Sequence, residues 1–534
     1  MRSFTPRERH GRGGNLGLGD EYDAIIVGSG MGGLSCGALL ARAGKKVLLL
    51  EKHNVPGGYA TTFRRRGGFE FDVSLHAIGG LSEERILFKY GGIRDILRES
   101  GVAGQVKFLR ASNLYRSVFP DHDIRLPQMN LDGQIEVLSK HFPDERNGMR
   151  KYFDEMLKIC REVDKLAGRR GKFTQLLFPL QYRHLFRYSG KTLSELLDRF
   201  LQDERLKAVA SQLWGYYGLP PSRLSALYYA PPTMEYMLEG AWYPLGKSQA
   251  LSNAFVRSIE ESGGEVLFRA EVREILVRDG VACGVRTVDG REFRSDVIVS
   301  NIDAHSTFHQ LVDPASLPSD YLSRVDSMRA SLSCFQVYLG LSVELAKMGV
   351  VDHEIFVNES YDLDREYETC LNADVQHCPY TIMVYDNVYP RFSPEGKTSV
   401  TILALQGYDY WAKFEDDYRK GSKERYMTEK ERMTSILIGR AERIIPNLSR
   451  YVELREASTP LTNIRYTGNY RGAIYGWDQT VEQSIKNRLA AETPIKNLYL
   501  AGAWTTPGGG FSGAMQSGFQ TYQTIMKKSS EIRT

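Results

Sequence analysis

Apolar residues occur along the chain in two patterns that predict two kinds of strand. The predicted strands 22–27 and 46–51 contain continuous apolar runs at 24–27 and 47–50, and residues 34–43 between them form a helix-compatible stretch that Gly44 ends. Apolar runs separated by a helix are typical of a parallel sheet that is buried on both faces. Residues 335–341 and 400–404 instead alternate with a period of two, which predicts half-buried strands of a separate sheet.

The middle and the end of the chain add further elements to the first pattern. Two Asp-Gly turns, at 279–280 and 289–290, predict an antiparallel ribbon lying on the parallel sheet. The predicted elements around them are a helix at 248–262 and strands at 266–268, 272–277, 281–285 and 296–300. A last strand at 497–504 precedes a helix at 514–526, and Thr428–Glu431 is a capping-box pattern that predicts a helix start.

The turn after the first strand carries the chain's most specific motif. Gly28, Gly30 and Gly33 form Gly-x-Gly-x-x-Gly between a strand and a helix, and Glu51 ends the next strand. This arrangement places a pyrophosphate at the helix N-terminus and an acid at the ribose hydroxyls, so it predicts a dinucleotide site that includes Met31 and Gly32. The alternative is a tight strand-to-helix turn that binds no nucleotide.

Two later glycine-rich stretches indicate which dinucleotide is bound. Gly57 and Gly58 follow Glu51, and the last strand leads into a second glycine-rich loop at 508–513 that opens a helix. A second helix N-terminus at the far end of the chain suits a long cofactor, and its dipole stabilises negative charge on a reduced flavin. FAD therefore fits better than NAD.

With these motifs the chain resembles the flavoprotein family of phytoene desaturases, carotenoid isomerases and retinol saturases, which is similar to the amine oxidases. The resemblance covers most of residues 20–530. It also rests on blocks at 71–80, 242–247, 299–303 and 471–477. Where many relatives carry Arg after the glycine pair and Asp after the last strand glycine, this chain has Tyr59 and Ala503.

The resemblance implies which residues hold FAD. The glycines and Glu51 would hold the ADP part, Val272 would lie by the adenine, and the 508–513 loop would meet the flavin. It also implies that His76, which follows Asp72, donates or accepts a proton beside the flavin; a structural histidine is the alternative. The complete cofactor-binding set is Gly28, Gly30, Met31, Gly32, Gly33, Glu51, Lys52, Gly57, Gly58, Val272, Asn301, Gly502, Ala503, Gly510, Phe511 and Ser512.

The expected fold class is α/β, with a Rossmann-like, glutathione-reductase-like FAD-binding domain and an α+β substrate domain. We expect the first domain to comprise residues 21–94, 243–310 and 455–534, and the second to comprise 95–242 and 311–454. A chain of 534 residues exceeds the size at which a single core keeps growing. Residues 1–20, which are basic and rich in glycine, are expected to form a disordered arm.

Two segments of the second domain point to an apolar substrate. Residues 165–191 mix seven basic residues with aromatic and leucine residues and contain no acid, as in helices that lie on an anionic membrane. An ordinary core helix with a cationic face is the alternative. Eight aromatic residues between 214 and 243 predict a tunnel for a flat conjugated molecule, unless they only pack in the core.

Composition excludes several other classes. A net charge of +4 does not favour a nucleic-acid partner, and the six cysteines form no C-x-x-C pair, which is typical of reduced thiols. His305 and His309 are helix-spaced, but no third metal ligand is near in sequence, so no metal site is predicted. No apolar run of about 18 residues occurs, so we expect a cytoplasmic, peripherally membrane-associated protein.

These observations predict an FAD-dependent oxidoreductase that acts on C=C bonds of a carotenoid or retinoid as a desaturase, saturase or cis-trans isomerase. The flavin would exchange a hydride with an allylic carbon. Only one dinucleotide fingerprint is present, so a diffusible electron donor or acceptor is expected. A flavin amine oxidase and a non-catalytic prenyl-lipid carrier of the same fold are the alternatives.

Overall fold

The computed structural model describes residues 21–74, 77–84, 86–88, 91–167 and 177–531. Its strands are, in chain order, β1 Glu21–Tyr22, β2 Ala24–Val27, β3 Val47–Leu50, β4 Thr62–Arg64, β5 Glu70–Asp72, β6 Phe108–Arg110, β7 Tyr115–Val118, β8 Asp123–Leu126, β9 Trp242–Pro244, β10 Glu265–Leu267, β11 Val272–Arg278, β12 Val281–Thr287, β13 Glu292–Ser295, β14 Ile298–Ser300, β15 Ser333–Leu341, β16 Glu354–Val357, β17 Tyr380–Met383, β18 Thr398–Gln406, β19 Val452–Ser458 and β20 Leu498–Leu500.

The α-helices are α1 Met31–Arg42, α2 Ile93–Glu99, α3 Leu131–His141, α4 Arg146–Ala167, α5 Phe178–Gln181, α6 Arg183–Tyr188, α7 Leu193–Asp198, α8 Glu204–Ala210, α9 Ala226–Glu239, α10 Lys247–Glu261, α11 Ala304–Ser306, α12 Ser319–Ser327, α13 Leu363–Leu371, α14 Tyr408–Ala412, α15 Glu415–Lys420, α16 Glu424–Ala441, α17 Pro460–Thr467 and α18 Gly510–Glu531. Within the described ranges, no helix combines the length and the apolar character that a membrane span needs.

A five-stranded parallel sheet gathers three distant parts of the chain. Its strand order is β10-β3-β2-β14-β20, and every residue of β2 and β3 is buried. Helix α1 packs against both α10 and α18. Because all five strands run the same way, their carboxyl ends lie along one edge, which is where ligands bind in such sheets. This agrees with the predicted α/β, Rossmann-like class.

The predicted ribbon is a four-stranded sheet with the order β1-β13-β12-β11. The predicted strand at 296–300 was wrong at its start, because β13 ends at Ser295 and β14 begins at Ile298. The chain crosses between these two residues from the ribbon to the parallel sheet. Asp279 and Gly280 form the predicted turn, both with positive φ.

A seven-stranded sheet, β19-β15-β18-β17-β16-β7-β8, contains the strands with alternating residues. The expectation that they are half-buried was wrong, since all nine residues of β15 are buried. Its polar Gln336 is buried but satisfied, because its amide donates to the Val73 carbonyl at 2.9 Å. On the same strand, the Phe69 ring lies so close to Gly340 that a Cβ there would be 2.6 Å from it.

Two helix starts also differ from the predictions. Helix α18 begins at Gly510, four residues before the predicted start at 514. Helix α16 begins at Glu424, so the capping-box pattern at Thr428 lies inside the helix. The Tyr426 N–H in its first turn donates to the Asp417 carboxylate at 2.9 Å, and this tertiary contact replaces the local cap.

A candidate cofactor and substrate cavity

The turn between β2 and α1 leaves backbone donors free for an anion. Gly28 has a φ of 92°, and Gly30, the N-cap residue of α1, provides no side-chain cap. A Cβ at Gly33 would lie 2.3 Å from the Gly28 carbonyl oxygen, so only glycine allows this close packing of helix on strand. The first N–H groups of a helix have no intrahelical partner, and here they open towards a cavity.

Glu51 is held rigidly at the end of β3. Its Oε2 accepts the Ser29 N–H at 2.9 Å and the Ser29 hydroxyl at 2.5 Å, and its Oε1 accepts the His53 N–H at 2.8 Å. The side chain is 8% exposed, yet a carboxylate has about four acceptor positions. One acceptor position, on Oε1, therefore remains for a ribose hydroxyl.

Asn301, which follows β14, ties that strand to the glycine turn. Its Oδ1 accepts the Gly33 N–H at 2.8 Å, and its Nδ2 donates to the Gly28 carbonyl at 3.3 Å. A Cβ at Gly32 or at Gly502 would lie 2.7 Å from the same Oδ1. Asn301 thus positions the turn as well as lining the cavity.

The two ends of the chain meet at this point. A Cβ at Gly32 would lie 2.5 Å from the Gly502 nitrogen, and a Cβ at Gly518 would lie 2.2 Å from the Gly32 carbonyl oxygen. The Gly502 N–H donates to Ser517 Oγ of α18 at 2.9 Å. The start of α1 therefore packs against Gly502 and against the middle of α18, so the two ends of the chain are in direct contact.

A single cavity of about 2060 Å³ contains this junction. The predicted cofactor-binding residues that line it are Gly28, Gly30, Met31, Gly32, Glu51, Lys52, Gly57, Gly58, Val272, Asn301, Gly502, Ala503, Gly510, Phe511 and Ser512. Gly33 is the exception, and it supports the helix instead. His76 lies outside the described residues.

The far part of the cavity is apolar and aromatic. Tyr216, Tyr217, Tyr228 and Tyr236 line it, whereas the other four members of the predicted aromatic series do not: Trp214, Tyr229, Trp242 and Tyr243. Half of the aromatic series therefore lines the cavity, and the core-packing alternative applies to the other half. The lining half comes mainly from α9 and the short helical segment before it.

The rim of the cavity carries exposed apolar side chains. Leu166 and Phe186 line the cavity and are also 38% and 54% exposed, and Leu180 on α5 is 81% exposed. Arg183, also exposed, begins α6 beside them. These residues belong to the predicted membrane segment, whose central part, 168–176, lies outside the described residues.

Asp72 joins two of the sequence blocks. Its carboxylate accepts hydrogen bonds from Ser248 Oγ at 2.5 Å, from Thr62 Oγ1 at 2.6 Å and from the Tyr243 hydroxyl. Burial raises the pKa of Asp72, although these three donors act in the opposite direction. The network fixes β5 against the start of α10.

Sequence reasoning missed Arg488, which holds the loop after β20. This side chain is 2% exposed, and it donates to the carbonyl oxygens of Ala503 at 2.5 Å, Thr505 at 3.0 Å and Trp477 at 3.2 Å. Burial lowers its pKa to about 10. A lone arginine in a loop gives no pattern by which the sequence reveals that role.

Tyr59 and Ala503, the two positions at which the sequence departs from the pattern that the resemblance implies, contact the protein itself. The Tyr59 hydroxyl donates to the carbonyls of Gly472 and Ala473, both at 3.3 Å. The Ala503 carbonyl accepts Arg488, as described above. Both positions thus tie neighbouring loops together at the cavity wall.

The histidine pair has a third neighbour that sequence proximity did not reveal. Asp326 of α12 lies with His305 and His309 in a group whose candidate ligand atoms are all within 4.8 Å of one another. His309 Nε2 and Asp326 Oδ1 are 2.7 Å apart, and the His305 ring stacks on Tyr470. His305 Nδ1 is buried and has no hydrogen-bond partner among the described residues.

Two helix N-termini and Glu51, the predicted ribose-binding acid, lie at one edge of the parallel sheet and face an apolar space. Fold and cavity together define an FAD-dependent oxidoreductase. A family model for flavin containing amine oxidoreductases matches residues 31–526. The chain belongs to this family, and its cofactor is FAD.

Curated relatives and solved structures give further likenesses. An all-trans-retinol 13,14-reductase of Danio rerio is 29% identical over 515 residues, covering 90% of this chain and 82% of the relative. A chloroplastic prolycopene isomerase of Daucus carota is 24% identical, covering 94% and 80%. The fold is similar to putrescine oxidase bound to putrescine, with a TM-score of 0.60 at 14% identity, covering 95% of this chain and 99% of the other.

Proposed function

We propose that this protein is an FAD-dependent oxidoreductase that acts on C=C bonds of a hydrophobic conjugated isoprenoid, a carotenoid or a retinoid. Among desaturation, saturation and isomerisation, we favour saturation, because the relatives named retinol reductases reach higher identity than those named prolycopene isomerases. A diffusible reductant would then supply the electrons.

The observation that carries the proposal is the continuity of one cavity from the glycine turn to the aromatic wall. Small-molecule pockets have volumes of roughly 300–1,000 Å³. A cavity of about 2060 Å³ has room for a dinucleotide and for a second, extended ligand. Four tyrosines and the apolar rim suit a second ligand that is flat and apolar.

The protein's own residues supply binding and orientation. Glu51 and the N-terminus of α1 would hold the ADP part of FAD, and the N-terminus of α18 would face the flavin. When bound, FAD supplies a hydride donor or acceptor at its flavin N5. The apolar wall excludes water and holds the polyene in line with that atom.

Access from a membrane forms part of the same proposal. Phe186 is exposed where it lines the cavity, and Leu180 and Arg183, which are also exposed, precede it by six and three residues. Apolar side chains with neighbouring cations bind an anionic lipid surface. An insoluble substrate would then pass from the lipid into the cavity without crossing water.

The test is anaerobic mixing of the holoenzyme, with its flavin reduced by dithionite, with retinol, phytoene or poly-cis lycopene. We expect loss of polyene absorption together with reoxidation of the flavin. The oxidised holoenzyme mixed with putrescine serves as the control for amine oxidation. Flavin reduction by the amine, with no reaction of any polyene, would favour an amine oxidase and refute the proposal.

A further inference from the structure

Glu235 is a buried acid in the wall of the substrate part of the cavity. It lies on α9, is 4% exposed and lines the cavity beside Tyr236. Among the described residues none forms a hydrogen bond or an ion pair with its carboxyl group. A Cβ at Gly80 would lie 2.7 Å from Glu235 Oε1, so the segment around Gly80 covers the group on one side.

The surroundings of Glu235 disfavour its charged form. Burial, and then the negative charge of Glu239 one turn further along α9, raise its pKa to about 8. The other titratable groups that couple to it are Cys160 on α4 and Tyr217, which precedes α9. Both are neutral at pH 7, because burial raises the pKa of each. Glu235 therefore carries a proton at neutral pH.

Helix geometry relates Glu235 to the flavin loop. Tyr228 and Glu235 are seven residues apart, so they share one face of α9 and are separated by about 10 Å along its axis. Tyr228 is the member of this face that touches the loop, since a Cβ at Gly508 would lie 2.7 Å from its hydroxyl oxygen. An extended ligand along this wall contacts both side chains.

We propose that Glu235 is the proton donor in the reduction of the substrate double bond, an inference that rests on the function proposed above. Saturating C=C requires a hydride on one carbon and a proton on another. The hydride and its electron pair come from reduced FAD, which becomes oxidised. The Glu235 O–H bond breaks as the second C–H bond forms, and solvent then returns a proton to the carboxylate.

The first test is the Glu235→Gln substitution, which keeps the shape of the side chain but provides no acidic proton. We expect kcat to fall by a factor of about 10² to 10⁴. FAD content and the affinity for retinol, followed by its absorption, should stay unchanged. Glu235→Asp retains an acid and should recover part of the rate.

Glu239→Gln is the matched control, one turn away and outside the cavity lining. It should retain turnover at pH 6. Because it removes a like charge, it should lower the pKa of Glu235 and move the alkaline limb of kcat/KM, expected near pH 8 in the wild type, to lower pH. The proposal is contradicted if the alkaline limb of kcat/KM stays at the same pH in Glu239→Gln, or if Glu235→Gln turns over as fast as the wild type.

A second measurement does not depend on turnover. Infrared difference spectra should show a protonated carboxyl band in the wild type that titrates near pH 8, shifts when retinol binds and is missing in Glu235→Gln. If Glu235 is ionised at pH 7, the proton-donor role is wrong. If the wild type reduces no polyene but the band behaves as expected, the proposed function fails while the protonated carboxyl stands.

Discussion

Replacing Gly32 by alanine tests the idea that the chain's two ends must meet to hold FAD. The new Cβ would lie 2.5 Å from the nitrogen and 2.6 Å from the Cα of Gly502, and both are backbone atoms that no rotamer change can move. Overpacking costs about 1–3 kcal/mol, so we expect a cost of about 2 kcal/mol here.

This cost should appear in the FAD dissociation constant. The free protein relieves the overlap by moving α1 away from Gly502, and FAD binding must bring them together again. A cost of about 2 kcal/mol corresponds to weaker binding by a factor of roughly 30. The assay is titration of the FAD-depleted protein, followed by quenching of flavin fluorescence.

Gly37→Ala provides the control on the same helix. Its Cβ would meet only side-chain atoms, the nearest being Ile259 Cδ1 at 3.3 Å. We expect unchanged FAD affinity and a thermal stability that is equal or higher by up to about 1 kcal/mol. If Gly32→Ala bound FAD as tightly as the wild type and unfolded at the same temperature, the two-ended cofactor site would be refuted.

Three further predictions concern other parts of the molecule. Asn301→Ala leaves the Gly33 N–H without its acceptor, so stability should fall by about 1–3 kcal/mol and bound FAD should decrease, as thermal unfolding and flavin absorption would show. The buried Glu366 has its pKa raised from 4.5 to about 8, mainly by desolvation. Between pH 4.5 and about 8 the folded state keeps this proton while the unfolded state loses it, so the free energy of unfolding falls by about 1.4 kcal/mol per pH unit. Glu366→Gln should make this fall smaller, as thermal unfolding from pH 5 to 8 would show. Leu180→Glu should weaken co-sedimentation with anionic vesicles. Val288→Glu, at an exposed apolar residue on the ribbon turn, should not. Equal loss of binding in both variants would contradict the proposed membrane contact of residues 180–186.

Much of the predicted cofactor-binding set lines the cavity, because each of its parts is encoded locally. A glycine at 28 that needs positive φ, a helix without a side-chain cap and an acid at the end of the next strand are consecutive features of a single β-α-β unit. The residues at 502 and 510–512 were reached by the same reasoning at a second strand-to-helix turn.

Local reasoning failed where long-range contacts replace local ones. The start of α16 depends on Asp417, outside the helix, and Phe69, far away in sequence, packs against Gly340 of the buried strand β15. No local pattern marks Arg488, whose partners are carbonyl oxygens of loops that only the fold brings together.

The sequence therefore established the dinucleotide turn, the preference for FAD and the family, since these depend on residues a few positions apart. Tertiary structure decided which aromatic residues face the cavity, how Gly32 meets Gly502 and why Glu235 is a buried, neutral acid. The physical reason is that burial and charge coupling depend on which distant segments pack together, and residue spacing along the chain does not specify that packing.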